Sequence, residues 1–235
     1  MNRATNDEWW THSWNPITGC TFGCDYCYAR KITERFPAAH PMGFAPTAWD
    51  NRMREPLKLR KPARIFTVSM GDFWDPAISD IDKQRILEVV WLTPQNRYLI
   101  LTKRPDRINP SLGFPPNLWL GVTVDRQGTE DRIGYLWENV ECTRAHCFVS
   151  FEPLLESPDL EAIGSYLNEG CVEFIIIGGL GGQKTWYPDI RTIKDLEALA
   201  VNNLIPFWEK HNLYPGKTKL RSLPDDLILD GAVVK

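Results

Sequence analysis

The sequence has no long apolar run. No segment of its 235 residues approaches the ~18 consecutive apolar residues of a membrane helix. Its first ten residues are polar and then aromatic, and they lack the apolar core of a signal peptide. We therefore expect a cytoplasmic protein with no membrane partner, in a compartment where thiols stay reduced.

An excess of positive charge is also lacking. The 27 Lys and Arg residues are outnumbered by 30 Asp and Glu residues, which leaves a net charge of −3. Charge alone is therefore not expected to hold nucleic acid, although a local basic groove stays open as an alternative. A hydrophobic share of 43% and a charged share of 24% exclude a disordered chain or a coiled coil.

Internal repeats, low-complexity stretches and linkers are absent as well. A length of 235 residues corresponds to one large domain or two small ones, at about 150 residues per domain. Residues 37–62 are rich in proline and glycine, and we interpret them as an excursion packed on the domain. We therefore expect a single domain over residues 1–235.

Short apolar runs alternate with helix-like segments along the chain. The runs predict strands at 64–70, 98–102, 118–124, 147–151, 173–177 and, weakened by a proline, 204–208. Helical periodicity is found at 28–36, from Asp80 to Trp91, and at 128–139, 159–168 and 189–203. This alternation predicts an α/β fold with a parallel sheet and right-handed crossovers. Six or seven strands are too few for an eight-fold barrel.

Polar residues or glycines follow nearly every predicted strand. In parallel α/β folds, ligands bind beyond the carboxyl ends of the strands. The chemistry is therefore expected at the segments 69–72, 102–104, 123–125, 150–152 and 178–179.

Three of the six cysteines fall within eight residues, at Cys20, Cys24 and Cys27. Thiolates are soft ligands that select zinc or iron–sulfur clusters. Three ligands do not complete a structural zinc site, which almost always uses four, but His12 or His40 could supply the fourth. The spacing favours an iron–sulfur cluster with one open iron, while zinc and ordinary reduced thiols remain alternatives.

The spacing C-x3-C-x-aromatic-C, with Tyr26 as the aromatic residue, resembles the signature of the radical S-adenosylmethionine (radical SAM) superfamily. The resemblance implies a partial (β/α)6 barrel with a [4Fe–4S] cluster on the three cysteines. It also implies that the fourth iron binds S-adenosylmethionine, and that an electron donor drives cleavage to a 5′-deoxyadenosyl radical. That radical would abstract hydrogen from a substrate, while the protein orients the reactants.

Six further motifs resemble, in their order along the chain, a phage-associated radical SAM family of unknown function, the Gp37/Gp68 type. They are WNPITGC at 14–20, SMGD at 69–72, LTKRP at 101–105, WLGVT at 119–123, EPLL at 152–155 and IGG at 177–179. The resemblance implies the cofactors and leaves the reaction open. Phage association and aromatic content favour a nucleotide, a nucleic-acid base or another modified metabolite as the substrate.

The resemblance also implies roles for residues after the first two long strands. The turn Met70-Gly71-Asp72 stands where superfamily members hold the SAM amino group, with Asp in place of the usual Glu. Thr102 and Lys103 end the next strand, where a lysine can pair with the SAM carboxylate or with a substrate anion.

The resemblance also implies roles for residues at the ends of the later strands. Thr123 and Asp125 are candidates for hydrogen bonds to the SAM ribose, and Glu152 is a candidate for contacting the cofactor or the substrate. Gly178 and Gly179 would let the backbone approach a ligand closely.

Lys103, Glu152 and Lys210 are the candidate catalytic residues. Lys210 matches a C-terminal lysine of the family. Leu180 and Gly181 depart from the family pattern Gly-Gly-Glu-Ser-Gly, so no carboxylate role is carried to that position.

Other cysteines and the tryptophans carry weaker signals. Cys142, Cys147 and Cys171 lack ligand spacing, and free cysteines are commonly buried. We expect the ten tryptophans to lie mostly in the core and at the rim, including Trp9, Trp10, Trp14, Trp74, Trp186 and Trp208. A cluster of them near the barrel mouth could stack on a base or exclude water from a radical. Two alternatives stay open: a non-catalytic iron–sulfur or zinc protein, and a nucleic-acid-binding module.

Overall fold

A curved sheet of eight strands lies at the centre of the computed structural model, which describes residues 1–4, 8–181, 187–214 and 219–229. Its strand order is β1-β2-β5-β6-β7-β8-β9-β10. From β2 to β10 every neighbouring pair is parallel, and only β1 runs antiparallel at the edge. The predicted parallel α/β half-barrel is confirmed.

The strands of this sheet are β1 (Asn2–Arg3), β2 (His12–Trp14), β5 (Arg64–Thr67), β6 (Arg97–Thr102), β7 (Leu118–Thr123), β8 (His146–Phe151), β9 (Phe174–Ile177) and β10 (Phe207–Glu209). A separate antiparallel pair is formed by β3 (Ile17–Thr18) and β4 (Thr47–Ala48).

The α-helices are α1 (Tyr28–Arg35), α2 (Asp80–Trp91), α3 (Asp131–Val140), α4 (Leu160–Asn168) and α5 (Ile190–Asn202). Short 3-10 helices lie at Pro37–Ala39, Asp50–Arg52, Glu55–Lys58, Pro105–Arg107, Pro110–Leu112 and Asp225–Leu227. Within the described ranges, no helix is both long enough and apolar enough to cross a membrane.

Several element boundaries differ from the sequence prediction, for backbone reasons. Strand β5 ends at Thr67 because Val68 adopts a φ of +64°. The last strand begins only at Phe207, because Leu204 has a φ of +57° and Pro206 has no N–H to donate. Strands β1 and β2 are not predicted, since the first 14 residues lack an apolar run. Between β6 and β7 the proline-rich chain forms two 3-10 turns where an α-helix would complete the pattern.

Side-chain caps explain where three helices begin. Ser79, rather than Asp80, caps α2, because its Oγ accepts a hydrogen bond of 3.1 Å from the backbone N–H of Asp82. Asp159 and Asp189 cap α4 and α5 in the same way. These caps fix the helices at the positions from which they cover the convex face of the sheet.

Two hydrophobic cores lie on opposite faces of the sheet. The larger core packs the helices against alternate strand residues, such as Ile100 of β6 and Val149 of β8. The smaller core fills the concave face and contains Trp9, Leu99, Trp119, Phe148, Phe174, Ile176, Trp208, Leu223 and Leu227. Because side chains alternate along a strand, the concave-face residues define which later residues point into the half-barrel.

The segment 37–62 packs against the first strands. The indole Nε1 of Trp49 donates to Oγ1 of Thr18 over 2.8 Å, and Nε1 of Trp14 donates to the carbonyl of Arg52 over 2.7 Å. Strand β4, within this segment, pairs with β3. These contacts bring the excursion up to the loop that carries the three cysteines.

Candidate functional site

Five of the predicted site residues follow five neighbouring strands on the concave face. Each of them stands an even number of residues after a concave-face residue of its strand, so it has the same phase as that residue. In strand order from β6 to β10 they are Lys103, Asp125, Glu152, Gly178 and Lys210. Parallel strands place their carboxyl ends at one edge, so these residues line one rim of the half-barrel.

The cysteine loop crosses this rim at a close contact between two glycines. Gly19 and Gly71 form an isolated parallel bridge, and the Gly19 N–H donates to the Met70 carbonyl over 2.8 Å. A Cβ at Gly71 would lie 2.6 Å from the Gly19 carbonyl oxygen, so a side chain there would force the two segments apart. Gly19 itself has a φ of +84°. The Met70-Gly71 backbone therefore supports the loop that begins at Cys20.

Hydrogen bonds tie the cysteine loop to the turn after β5. Oδ2 of Asp75, which is fully buried, accepts from the N–H and the Oγ1 of Thr21 over 2.7 and 2.8 Å. Arg104 donates to the same hydroxyl over 2.9 Å. The guanidinium groups of Arg104 and Arg132 lie 5.3 and 5.6 Å from the ring centre of Phe22. The loop is thus held between the ends of β5, β6 and β7.

A charged network joins the loop to Asp125. The Tyr26 hydroxyl donates to Oδ2 of Asp125, which also accepts from Nζ of Lys103 over 3.2 Å. Arg132 donates to Oδ1 over 3.0 Å and to the Thr123 carbonyl over 2.6 Å. Burial raises the pKa of Asp125, but Lys103, Tyr26 and Arg132 outweigh it and hold that pKa below its usual value. Burial also lowers the pKa of Lys103, against the opposing effect of Asp125.

Burial raises the pKa of the Cys20 thiol to about 12 and also raises the pKa of the Cys24 thiol. Within the described ranges, no set of three or more His, Cys, Asp or Glu side chains is arranged to hold a metal ion. The donor chemistry nevertheless fits a cluster, since all three thiols are free. Sγ of Cys20 and Sγ of Cys27 accept from the N–H groups of Phe22 and Arg30 over 3.3 and 3.4 Å. These raised pKa values keep the Cys20 and Cys24 thiols protonated in the metal-free protein, so binding a cluster there must release protons.

Asp72 and Thr102 are bonded to each other. Thr102 Oγ1 donates to the two carboxylate oxygens of Asp72 over 2.8 and 2.9 Å, and the N–H groups of Trp74 and Lys103 donate to the same carboxylate. Thr102 belongs to the strand face that packs against the helices, one residue out of phase with Lys103. The predicted contact of this pair with SAM stays a prediction, and the visible role of Asp72 is to position the end of β6.

Glu152 and Lys210 form an ion pair across the sheet, 2.6 Å from Oε1 to Nζ. Burial lowers the pKa of Lys210, but Glu152 and Glu8 outweigh it and hold that pKa above its usual value. A Cβ at Gly178 would lie 3.1 Å from the Glu152 side chain, so the glycine leaves room for this carboxylate. The Gly179 carbonyl accepts from Nδ2 of Asn212 over 2.7 Å.

Sequence reasoning missed several residues that complete the rim. Arg132, the second residue of α3, donates a hydrogen bond to Asp125. Tyr28, the first residue of α1, donates from its hydroxyl to the Ser69 carbonyl. Glu8 lies with Oε1 3.0 Å from Nδ1 of His211, beside Lys210. Of these residues, only Tyr28 is marked by the sequence, because it directly follows Cys27, the third cysteine of the loop. The others lie far from any motif and meet the site only through the fold.

The remaining cysteines and tryptophans have mostly structural surroundings. Cys147 and Cys171 are buried and Cys142 is exposed. Of the six tryptophans named from the sequence, four are core residues, as expected: Trp9, Trp14, Trp74 and Trp208. Trp10 is half-buried, and Trp186 lies outside the described residues. Two histidines were candidates for a fourth zinc ligand. His12 begins β2 and so lies at the amino ends of the strands, whereas the cysteine loop lies at the carboxyl ends, and His40 follows a 3-10 helix.

The variant Gly178→Ala is expected to lower the free energy of unfolding by about 1–3 kcal/mol, because its methyl group would displace Glu152 from Lys210. Urea denaturation of the metal-free protein measures this loss. Gly181→Ala is the matched control, since its nearest neighbour would lie at an unstrained 3.7 Å. Equal free energies of unfolding for the two variants would show that the Glu152 side chain can move away from the added methyl group without destabilising the protein.

The curled parallel sheet forms a half-barrel, and the rim at its carboxyl ends carries three thiols and several charged residues. The sequence matches, over residues 4–219, the family described as "Protein of unknown function (DUF5131)". The chain belongs to this family.

The fold is similar to that of a solved structure. The chain resembles a spore photoproduct lyase complexed with dinucleoside spore photoproduct, with a TM-score of 0.53 at 11% identity, over 82% of this chain and 72% of that one. A variant of spore photoproduct lyase with bound AdoMet and dinucleoside spore photoproduct gives a TM-score of 0.49 at 11% identity, over 78% and 58%. A search of curated proteins finds no match.

Proposed function

We propose that the protein is a radical SAM enzyme that holds a [4Fe–4S] cluster on Cys20, Cys24 and Cys27. The bound cluster would supply one electron that cleaves S-adenosylmethionine to methionine and a 5′-deoxyadenosyl radical, which then removes hydrogen from the substrate. The electron must come from a separate donor protein or reductant. We further propose a nucleotide or a nucleic-acid base as the substrate, in a phage-type modification.

The observation that carries this proposal is the position of the cysteine loop. Three free thiols lie on a loop tied to the carboxyl rim of a radical SAM-type half-barrel, beside Lys103 and Asp125. Ligands of parallel α/β folds bind at this rim. A structural metal site would not require such a rim, nor charged residues that point into the concave face.

The residues of the rim divide into two groups with different proposed roles. Near the thiols, Lys103 would pair with the SAM carboxylate, and Asp125 and Thr123 would contact the ribose. The Met70-Gly71 backbone would accept from the SAM ammonium, with Asp72 and Thr102 holding that turn in place. Each of these contacts is a proposal that follows from the position of the group at the rim.

After β8 and β10, Glu152 and Lys210 would contact the substrate. Their side chains are 22% and 16% exposed, so both charged groups can be reached from the concave side. Gly178 and Gly179 leave the backbone open beside them. The name of the similar structure, a lyase complexed with a dinucleoside, supports a nucleotide substrate for this half of the rim.

The test is reductive cleavage of SAM. Cluster-replete protein, reduced by dithionite under anaerobic conditions, is expected to release 5′-deoxyadenosine slowly, as measured by chromatography. A substrate should raise this rate well above the background, because a closed site suppresses cleavage that is not coupled to hydrogen abstraction. Protein reconstituted without iron is the control.

The possible outcomes test the enzyme class and the identity of the substrate separately. No 5′-deoxyadenosine from the reduced protein, alone or with a panel of nucleotides and oligonucleotides, would favour a non-catalytic cluster protein. Cleavage that no panel member accelerates would leave the enzyme in place and overturn the nucleotide assignment.

A further inference from the structure

A cavity of about 640 Å³ lies between the first strands and the segment before β5. Its volume falls within the range of small-molecule sites, about 300–1,000 Å³. The lining includes side chains of β1, β2 and β5 and the stretch 59–62, so it lies beyond the amino ends of β2 and β5. It is therefore separate from the cysteine loop, which lies at the carboxyl rim.

The charge of this cavity differs from that of the whole chain. Among the described residues that line it, Arg3, Arg60, Lys61 and Arg64 are cationic and Glu8 alone carries a carboxylate, whereas the chain carries a net charge of −3. No residue of the described ranges forms an ion pair with Arg3, Arg60 or Lys61, and all three side chains are exposed. Three uncompensated cations around one concave surface favour an anionic ligand.

Arg64 has a supporting role in this arrangement. It is 7% exposed, and its Nε donates to the Trp9 carbonyl over 2.9 Å, while Nη1 donates to the Leu227 carbonyl over 3.3 Å. Its guanidinium therefore stays fixed and contributes positive charge to the wall. The mobile cationic side chains available to a ligand are those of the exposed residues.

Glu8 supplies a second, independent feature. Its side chain is 8% exposed and lines the cavity, and within the described residues its Oε2 has no hydrogen-bond partner. A buried acceptor without a partner costs free energy, which a ligand N–H or hydroxyl would recover. The ligand is therefore expected to combine an anionic group with a hydrogen-bond donor.

The cavity also offers an aromatic face. Trp10 lines it and is half-buried, with its ring centre 6.3 Å from that of Phe66. Indole rings stack on nucleobases with little regard to sequence. A planar ring, a hydrogen-bond donor and an anion occur together in a nucleoside phosphate.

Glu8 connects the cavity to the carboxyl rim. While Oε2 has no partner, Oε1 lies 3.0 Å from Nδ1 of His211, which follows Lys210 in the chain. The Glu8 carboxylate also raises the pKa of Lys210. Glu8 is therefore the one lining residue of the cavity, among the described residues, that also pairs with a residue next to Lys210.

We propose that this cavity binds a nucleoside phosphate of the substrate, either a free nucleotide or one unit of a nucleic-acid strand, with the phosphate on Arg60 and Lys61, the base on Trp10 and a donor group on Glu8. The choice of a nucleotide as the substrate rests on the proposed function and deepens it. The binding site itself does not depend on SAM chemistry.

The test measures binding by the cluster-replete protein, without reductant. The probes are a fluorescein-labelled 12-nucleotide oligothymidylate and, as a competitor, thymidine 5′-monophosphate. The double variant Arg60→Gln/Lys61→Gln is expected to bind the oligonucleotide about tenfold more weakly than the unmodified protein. It should also reduce the slope of log K against log salt concentration by about 0.7, since each phosphate neutralised on a single strand contributes about 0.7.

Arg144→Gln/Lys194→Gln is the matched control, because it removes the same charge from two exposed positions away from the cavity. Equal weakening by both double variants, or no binding by the unmodified protein, would overturn the proposal. Competition by thymidine 5′-monophosphate would identify a free nucleotide as the ligand, and resistance to it would identify a strand. An unmodified protein that cleaves SAM but does not bind the oligonucleotide would contradict only this cavity. An unmodified protein that binds the oligonucleotide through Arg60 and Lys61 but does not cleave SAM would contradict only the proposed function.

Discussion

Replacing Cys24 with alanine is expected to abolish iron binding. After anaerobic reconstitution, the unmodified protein should contain about four irons per chain, as a [4Fe–4S] cluster requires, and Cys24→Ala should fall close to none. Cys24 is the middle thiol of the loop, and its neighbour Lys103 favours the thiolate that a cluster needs. Iron and sulfide analysis, together with the visible absorption of the cluster, measure the loss.

Cys142→Ala is the matched control for this change. Cys142 is an exposed free thiol far along the chain from the cysteine loop, so its removal should leave the iron content unchanged. Full iron content in Cys24→Ala would refute the cluster assignment. Loss of iron in both variants would point to a general effect of thiol removal on reconstitution.

Replacing Asp125 with asparagine is expected to lower the free energy of unfolding of the metal-free protein by about 3 kcal/mol. Asp125 is 4% exposed and compensates both Lys103 and Arg132, so its loss leaves two largely buried cations facing each other. It also accepts from Tyr26, which lies between two of the cysteines. The variant should therefore bind iron less completely as well.

Two variants isolate the cause of this effect. Asp106→Asn removes a charge from an exposed ion pair with Arg107 and should change stability little. Tyr26→Phe removes only the hydroxyl that donates to Asp125, and its cost should be about 1 kcal/mol. Urea denaturation of all three variants gives the comparison. An Asp125→Asn variant as stable as Asp106→Asn would show that the network does not hold the loop.

Much of the fold follows from local sequence signals. The runs at 98–102, 118–124 and 147–151 are apolar because their strands are covered on both faces, and each lies within a residue or two of an observed strand. Amphipathic periodicity likewise predicts the helix between the last two of these strands, whereas the two 3-10 turns between the first two carry no such pattern. The edge strands β1 and β2 could not be predicted, because two or three polar and aromatic residues carry no periodic pattern.

In the candidate site, too, some features follow from local sequence and others do not. The cysteine spacing and the polar residues after each strand are local features, so the sequence alone determined the chemistry of the loop and the rim on which ligands are expected. Which of those polar residues point into the half-barrel depends on strand phase. Thr102 and Lys103 are adjacent in the chain, yet one bonds to Asp72 on the helix side and the other reaches Asp125 on the concave side.

Only the tertiary structure decided the partners of these residues. The sequence determined a parallel α/β fold and a three-thiol loop, because hydrophobic period, turn residues and ligand spacing act over short stretches of chain, and the partial barrel followed only from the family resemblance. The pairing of Glu152 with Lys210, 58 residues apart, and of Glu8 with His211 depends on which strands become neighbours when the sheet curls. Such long-range contacts leave no local pattern, since the residues that meet are set by packing of the whole sheet.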